Sequence, residues 1–143
     1  MSSTVPLEIV LIEEDGCHIF IKGRINGKKV RLLIDTGASR TVFDKNRIIE
    51  LFGADDVEFV KMEKLSTGLG TNTMESETVT LKELKLGRIK LKDYTAVVLD
   101  MVHVNQSYQM LHLPKIDGVI GGDVLASLQA VIDYKNEELT VMK

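Results

Sequence analysis

The 143-residue sequence has one cysteine, two prolines and no tryptophan, and each scarcity removes a class of explanation. A lone thiol, Cys17, can form no internal disulfide, so the chain must rely on a hydrophobic core. His18, His103 and His112 share no ligand-type spacing, and Cys17 has no cysteine partner, so no metal site and no cofactor are expected. Pro6 and Pro114 lie far apart and no serine- or proline-rich linker divides the chain, so residues 1–143 read as one domain. No apolar run approaches the roughly 20 residues that span a bilayer. The N-terminal stretch "MSSTVPLEIVLIEEDG" lacks the basic start of a secretory signal, and Glu8 interrupts its apolar part. Cytoplasmic residence is the expectation, although a signal removed ahead of residue 1 would make the protein periplasmic or secreted. The net charge of -3 is scattered and contains no basic block of the kind nucleic acids select. Neither nucleic acid nor a membrane span is therefore expected.

What the sequence does have is 44% hydrophobic and 27% charged residues, the balance of a globular protein with a sizeable core. Most of its apolar residues fall in short strand-like runs. "CHIFIKGRINGKKVRLLID" holds two of them, joined by Asn26-Gly27, the strongest short signal for a two-residue hairpin. "VEFVKMEKL" and "ETVTLKEL" read as β-segments on either side of "STGLGTNT". "GRIKLKDYTAVVLD" alternates and then becomes continuously apolar, as a strand covered on both faces does. "ASLQAVIDYKNEELTVMK" closes the chain with two short strands around a polar turn at Lys135 to Glu137. Two helices are expected. The first runs from about Lys45 to Phe52, with Asp44 as N-cap, Phe43 and Ile48 as a hydrophobic staple, and Gly53 as the stop. The second runs from Val124 to Leu128 with Asp123 as its cap. The segment "DMVHVNQSYQMLHLPKI" carries no clear period. It reads either as a long loop packed on the core or as a pocket wall or subunit contact. Many short strands and few helices predict an all-β, closed-barrel domain.

Most catalytic motifs fail on inspection. "TGLGTN" lacks the third glycine of a dinucleotide fingerprint, and "GVIGGD" lacks both the spacing and the lysine of a phosphate loop. Ser39 and Ser127 stand in no nucleophile elbow. There remains "VRLLIDTGASR", in which an apolar strand ends in Asp35 on a tight turn of small residues. Asp and Gly are common in turns for backbone reasons alone. Here, however, the strand before Asp35 is apolar on both faces, and Gly37 and Ala38 leave room around the carboxylate. Far downstream, "IDGVIGGDVL" places Val119 and Ile120 before Gly121 and a short helix.

The two stretches together resemble the retropepsin-like aspartic proteases, in the bacterial and cellular rather than the viral form. Leu33, Ile34, Asp35, Thr36, Gly37 and Ala38 match the family's apolar-apolar-Asp-Thr-Gly-Ala turn. Val119, Ile120 and Gly121 match the strand that packs against it. The resemblance covers roughly Cys17 to Lys143 and implies a retropepsin-like barrel with a flap hairpin and one or two short helices. The segment Ser66 to Thr73 falls where the flap belongs, with Gly68, Leu69 and Gly70 at its tip. Two positions depart from the viral pattern: Ser39 follows the alanine where viral members carry an aspartate, and Gly122 stands where they carry an arginine. Their joint loss is coherent, because losing one partner would strand a charge.

The implied chemistry needs two carboxylates about 3 Å apart that share one proton. The ionised member activates a water and the other polarises the scissile carbonyl. The sequence has a single Asp-Thr-Gly, and Asp15, Asp117 and Asp133 lack its context. The expectation is therefore an aspartic endopeptidase active only as a homodimer, with Asp35 facing Asp35 across a two-fold axis. The resemblance implies that Thr36 locks the two turns together, with Gly37, Ala38 and Ser39 completing the turn. A peptide or protein substrate would be held by strand addition along the Gly37 carbonyl and the flap. The terminal strands "LEIVLI" and "LTVMK" and the segment from Met101 to Leu113 are candidate dimer contacts. The alternative is a catalytically inactive retropepsin-fold domain that binds or scaffolds peptides.

Overall fold

The computed structural model describes residues 1–12, 16–62 and 76–143. The hairpin signal at Asn26-Gly27 is realised as two long strands, β3 (Gly16–Ile25) and β4 (Lys28–Ile34). Both turn residues have left-handed φ, 48° and 84°, which suits a two-residue turn that follows the right-handed twist of its strands. β3 continues antiparallel to β2 (Glu8–Ile12), and β4 pairs in parallel with β9 (Gly118–Ile120). β9 in turn lies antiparallel to β5 (Val42–Asp44), and β5 parallel to β8 (Ile89–Leu99). β8 forms a long hairpin with β7 (Glu77–Leu86), whose register returns to β3 at Arg24 and Ile25. The circuit β3-β4-β9-β5-β8-β7-β3 is a closed six-strand barrel. Closure removes most of the free strand edge and surrounds a core that includes Leu32, Phe43, Leu84, Leu86, Ile120 and Leu139.

As the continuous apolar run predicts, Ala96, Val97 and Val98 of β8 are all buried in succession. β6 (Val60–Lys61) is shorter than the run "VEFVKMEKL" suggests. Val57 and Phe59 pack against the core without joining the ladder, so their apolar character reflects packing rather than strand pairing. β6 pairs antiparallel with β7, and the Met62 N–H donates to the Ser76 carbonyl. The expected flap tip, Gly68, Leu69 and Gly70, lies outside the described residues.

A second, three-stranded sheet gathers the chain ends, with β11 (Glu138–Met142) between β1 (Ser2–Pro6) and β10 (Val131–Asp133). The segment "LTVMK" is thus paired with β1 along one edge through Met142, and on the other edge Leu139 and Thr140 pair with β10. Among the described residues β2, the strand of "LEIVLI", pairs only with β3.

Helix α1 (Lys45–Phe52) starts and stops where its capping residues predict. The Asp44 carboxylate accepts from the Asn46 N–H, and the Gly53 N–H donates to the Ile49 carbonyl. Helix α3 (Gly122–Ser127) begins two residues earlier than expected, with Gly121 rather than Asp123 at its N-cap. A third helix, α2 (Val102–Met110), occupies the segment that the sequence leaves unassigned. Its buried positions, Asn105 and Tyr108, are polar, so the face turned inward is invisible to a hydrophobic period. The Asn105 side chain makes the inward turn tolerable. Its Oδ1 accepts from the Ile116 N–H at 2.8 Å and its Nδ2 donates to the Ile116 carbonyl at 3.1 Å. None of the described helices is long and apolar enough to cross a membrane.

Candidate active site

β4 delivers Asp35. Val30, Leu32 and Ile34 point into the barrel, while Arg31 and Leu33 face the other way. Strand alternation carries Asp35 to the Leu33 side, just where the chain leaves the sheet. Leu33 stands opposite Val119 and Ile34 opposite Ile120. The Asp35 N–H donates to the Ile120 carbonyl at 3.0 Å, so the backbone of the aspartate is pinned although its side chain is exposed.

The turn is closed by its own polar groups. Asp35 Oδ1 accepts from the Gly37 N–H at 3.0 Å, and the Ala38 N–H donates to the Asp35 carbonyl at 3.2 Å. This is the Asx-type closure that lets a short acidic side chain stand in for backbone. Thr36, Gly37 and Ser39 are exposed, and Ala38 is half-buried.

Beneath the turn the packing leaves no slack. The Gly122 N–H donates to the Ala38 carbonyl at 2.7 Å. A Cβ at Gly121 would lie 2.7 Å from the Ala38 oxygen and 2.8 Å from the Arg40 carbonyl group. Only a glycine permits this approach of α3's first turn to the Asp35 turn. Thr41, fully buried, joins the two stretches: its Oγ1 accepts from the Gly121 N–H at 3.0 Å and donates to Asp123 Oδ1 at 2.8 Å. Asp123 Oδ2 accepts from the Thr41 N–H at 3.0 Å, and Oδ1 also accepts from the Val124 N–H. Asp123 therefore ties the two motifs together rather than capping the helix. Burial, together with the charge of Asp123, pushes the neighbouring Tyr94 hydroxyl above its ordinary range.

The outward face of β4 and β9 beside Asp35 carries its own apolar cluster. Phe20, Met101, Tyr108 and Ile116 are buried there, with Leu33, Val119, Val10 and Leu113 packed against them. Helix α2 supplies Tyr108, whose ring meets Phe20 and His18 edge-on and whose hydroxyl lies 3.0 Å from His18 Nδ1. Burial raises the Tyr108 hydroxyl pKa; Arg31 works against the shift and the charge of Asp35 adds to it. The Met101 to Leu113 segment is thus a helical wall on the carboxylate's side of the sheet.

The structure brings the expected turn (Asp35, Thr36, Gly37, Ala38, Ser39) and the expected strand (Val119, Ile120, Gly121) into direct contact. Ile120 and Gly121 are buried, and Val119 is half-buried against α2. The sequence singles out nothing at Thr41, and it offers Tyr108 only as one apolar residue of the segment that reads as a loop or a pocket wall. Thr41 lies six positions past Asp35 and carries no motif, and Tyr108 belongs to the segment without a period. Among the described residues no three His, Cys, Asp or Glu side chains gather into a metal-binding group.

Comparison with known proteins agrees with this geometry. The profile of the aspartyl protease family matches residues 21–124. DNA damage-inducible protein 1 of Kluyveromyces lactis is 28% identical over 123 residues, which cover 86% of this chain and 26% of that protein. The chain thus spans about a quarter of the length of that relative. A retropepsin-like aspartic protease from Rickettsia conorii superposes with a TM-score of 0.57 at 22% identity, covering 99% of this chain and 94% of the other. The retroviral protease-like domain of Ddi1 from Leishmania major gives 0.55 at 23% identity, covering 85% and 86%. These two structures show that the fold is retropepsin-like.

Proposed function

The chain belongs to the aspartyl protease family, and on that premise we propose that it is a homodimeric aspartic endopeptidase. One observation carries the reading. Asp35 is held by its backbone to β9 and by its carboxylate to Gly37, yet it and Thr36 stand exposed on a single chain that has one Asp-Thr-Gly. An anchored, solvent-facing carboxylate without an internal counterpart suits a site completed by the same turn of a second copy.

In that assembly the two Asp35 carboxylates share a proton, since like charges so close cannot both ionise. The ionised one takes a proton from the attacking water and the protonated one polarises the peptide carbonyl. The apparent pKa values belong to the pair. Thr36 and Gly37 form the contact between the turns, and Gly121 and Thr41 keep each turn in place. The substrate is an extended peptide, and Tyr108 of α2, Leu113 beyond it, Leu33 of β4 and Val119 of β9 form an apolar cluster beside Asp35. That surface favours an apolar or aromatic side chain next to the scissile bond.

Asp35→Asn is the test. It should abolish peptide cleavage while circular dichroism and unfolding stay unchanged. Cleavage at the wild-type rate would assign the activity to another site. A folded wild-type dimer that cleaves no peptide in a diverse library would favour a peptide-binding role.

A further inference from the structure

The sequence disperses its cations, but the barrel aligns them. Lys29 of β4 stands opposite Arg24 of β3, Arg24 opposite Lys85 of β7, and Lys85 opposite Lys90 of β8. Direct cross-strand partners share a face, so four adjacent strands carry one row of four cations. One step along the hairpin, Lys22 stands opposite Arg31, which starts a second row. Like charges directly opposite are unfavourable for sheet pairing, so the fold gains nothing from this register. The chain as a whole has more acidic than basic side chains, 21 against 18, so composition does not account for it either.

Internal compensation is slight. Arg31 is paired with Glu8 through two contacts, at 2.7 and 3.2 Å, and lies over the Phe20 ring. The Arg24 guanidinium donates to the Gly27 carbonyl. Among the described residues, Lys22, Lys29, Lys85 and Lys90 have no carboxylate at ion-pair distance. Lys22, Arg24, Lys29, Lys85 and Arg31 border a groove of about 730 Å³, and the two carboxylates in its lining are already engaged within the chain, Glu8 by the Arg31 guanidinium and Asp117 by the Arg31 N–H and Arg47.

We propose that this groove docks an extended acidic segment of a partner protein, with Asp or Glu at alternate positions. The charge of the groove and the spacing of its cations select that occupant. Lys22 and Arg24, like Lys29 and Arg31, are two residues apart on a strand, about 7 Å, which is the spacing of alternate side chains on an extended peptide. A nucleic acid would gain phosphate contacts but no stacking, since Phe20, the aromatic residue of the groove, is buried beneath Arg31. The surface lies on the face of β4 that leads to Asp35, but its ligand binding does not require catalysis.

The test uses the full chain and a fluorescein-labelled peptide that alternates glutamate with valine, read by anisotropy. Binding should saturate, weaken steeply with salt, and vanish for the peptide with glutamine in place of glutamate. Lys22→Glu with Lys29→Glu should weaken it at least tenfold, whereas Lys61→Glu with Lys82→Glu, the same change of charge at exposed positions outside the groove, should leave it intact. Lys29→Gln, which relieves repulsion, should weaken binding without lowering stability, so loss of binding cannot be mistaken for unfolding. No saturable binding, equal binding by the Lys22→Glu, Lys29→Glu variant, or tighter binding of a single-stranded oligonucleotide of the same charge would each overturn the proposal.

Discussion

Replacing Thr41 by valine removes one oxygen from the joint beneath the Asp35 turn and almost nothing else. The side chain is fully buried, so water cannot enter to replace the hydroxyl. Two hydrogen bonds disappear, the acceptance from the Gly121 N–H and the donation to the Asp123 carboxylate. A neutral buried bond contributes about 1 kcal/mol and one to a charged group about 1.5–3 kcal/mol. Asp123 keeps the N–H groups of Thr41 and Val124, which limits the loss on that side. The Gly121 N–H is left with an apolar methyl. The expected destabilisation is about 3 kcal/mol, a large part of the stability of a domain this size. In thermal unfolding that amounts to a fall of about 10 °C. Thr41→Ser keeps the hydroxyl and gives up a methyl group, and should cost about 1 kcal/mol. Urea unfolding at one fixed protein concentration provides the comparison, since association would otherwise change the apparent stability. A Thr41→Val protein within about 0.5 kcal/mol of wild type, or a serine variant as unstable as the valine one, would refute the view that this hydroxyl joins the two motifs.

Three further outcomes follow from the same geometry. Gly121→Ala forces a methyl group onto the backbone of Ala38 and Arg40 and should cost at least about 2 kcal/mol, read by the same unfolding curves; a neutral effect would mean the two turns are not locked together. Tyr108→Phe removes the contact with His18 Nδ1 and should cost about 1 kcal/mol, whereas Tyr108→Leu should shift cleavage preference in a peptide library without abolishing turnover. The hydrogen bond from Arg31 holds the Glu8 carboxyl below its ordinary 4.5. The folded-state pKa is therefore depressed, so its stabilisation is present above about 4.5 and disappears as pH falls through the lowered value. Because Glu8 is half exposed, Glu8→Gln should cost only about 0.5 kcal/mol at pH 7, and the difference from wild type should shrink as pH falls below 4.5.

Local chemistry made much of this structure legible in the sequence. Asn26-Gly27 has few other uses between alternating runs, and Asp44 and Gly53 mark the ends of α1 by satisfying orphan backbone groups. The Asp35 turn and the Val119-Ile120-Gly121 strand could be paired from the resemblance because both are short and contiguous. What escaped depends on side chains meeting across long separations. Asp123 looks like a helix cap until Thr41 is brought to it. Helix α2 buries Asn105 and Tyr108 against partners that no local pattern reveals. The cation row exists only in the strand register, since Lys29, Arg24, Lys85 and Lys90 form no block along the chain.

The central claim is that each catalytic site takes one Asp35 from each of two chains, and a mixing experiment addresses it directly. Wild type and Asp35→Asn protein are unfolded together in equal amounts, refolded, and assayed for peptide cleavage at constant total concentration. If the site is shared, mixed dimers are inactive and activity falls to about a quarter of that of wild type alone. A fall to only about a half would mean that each chain cleaves by itself, and would contradict the account.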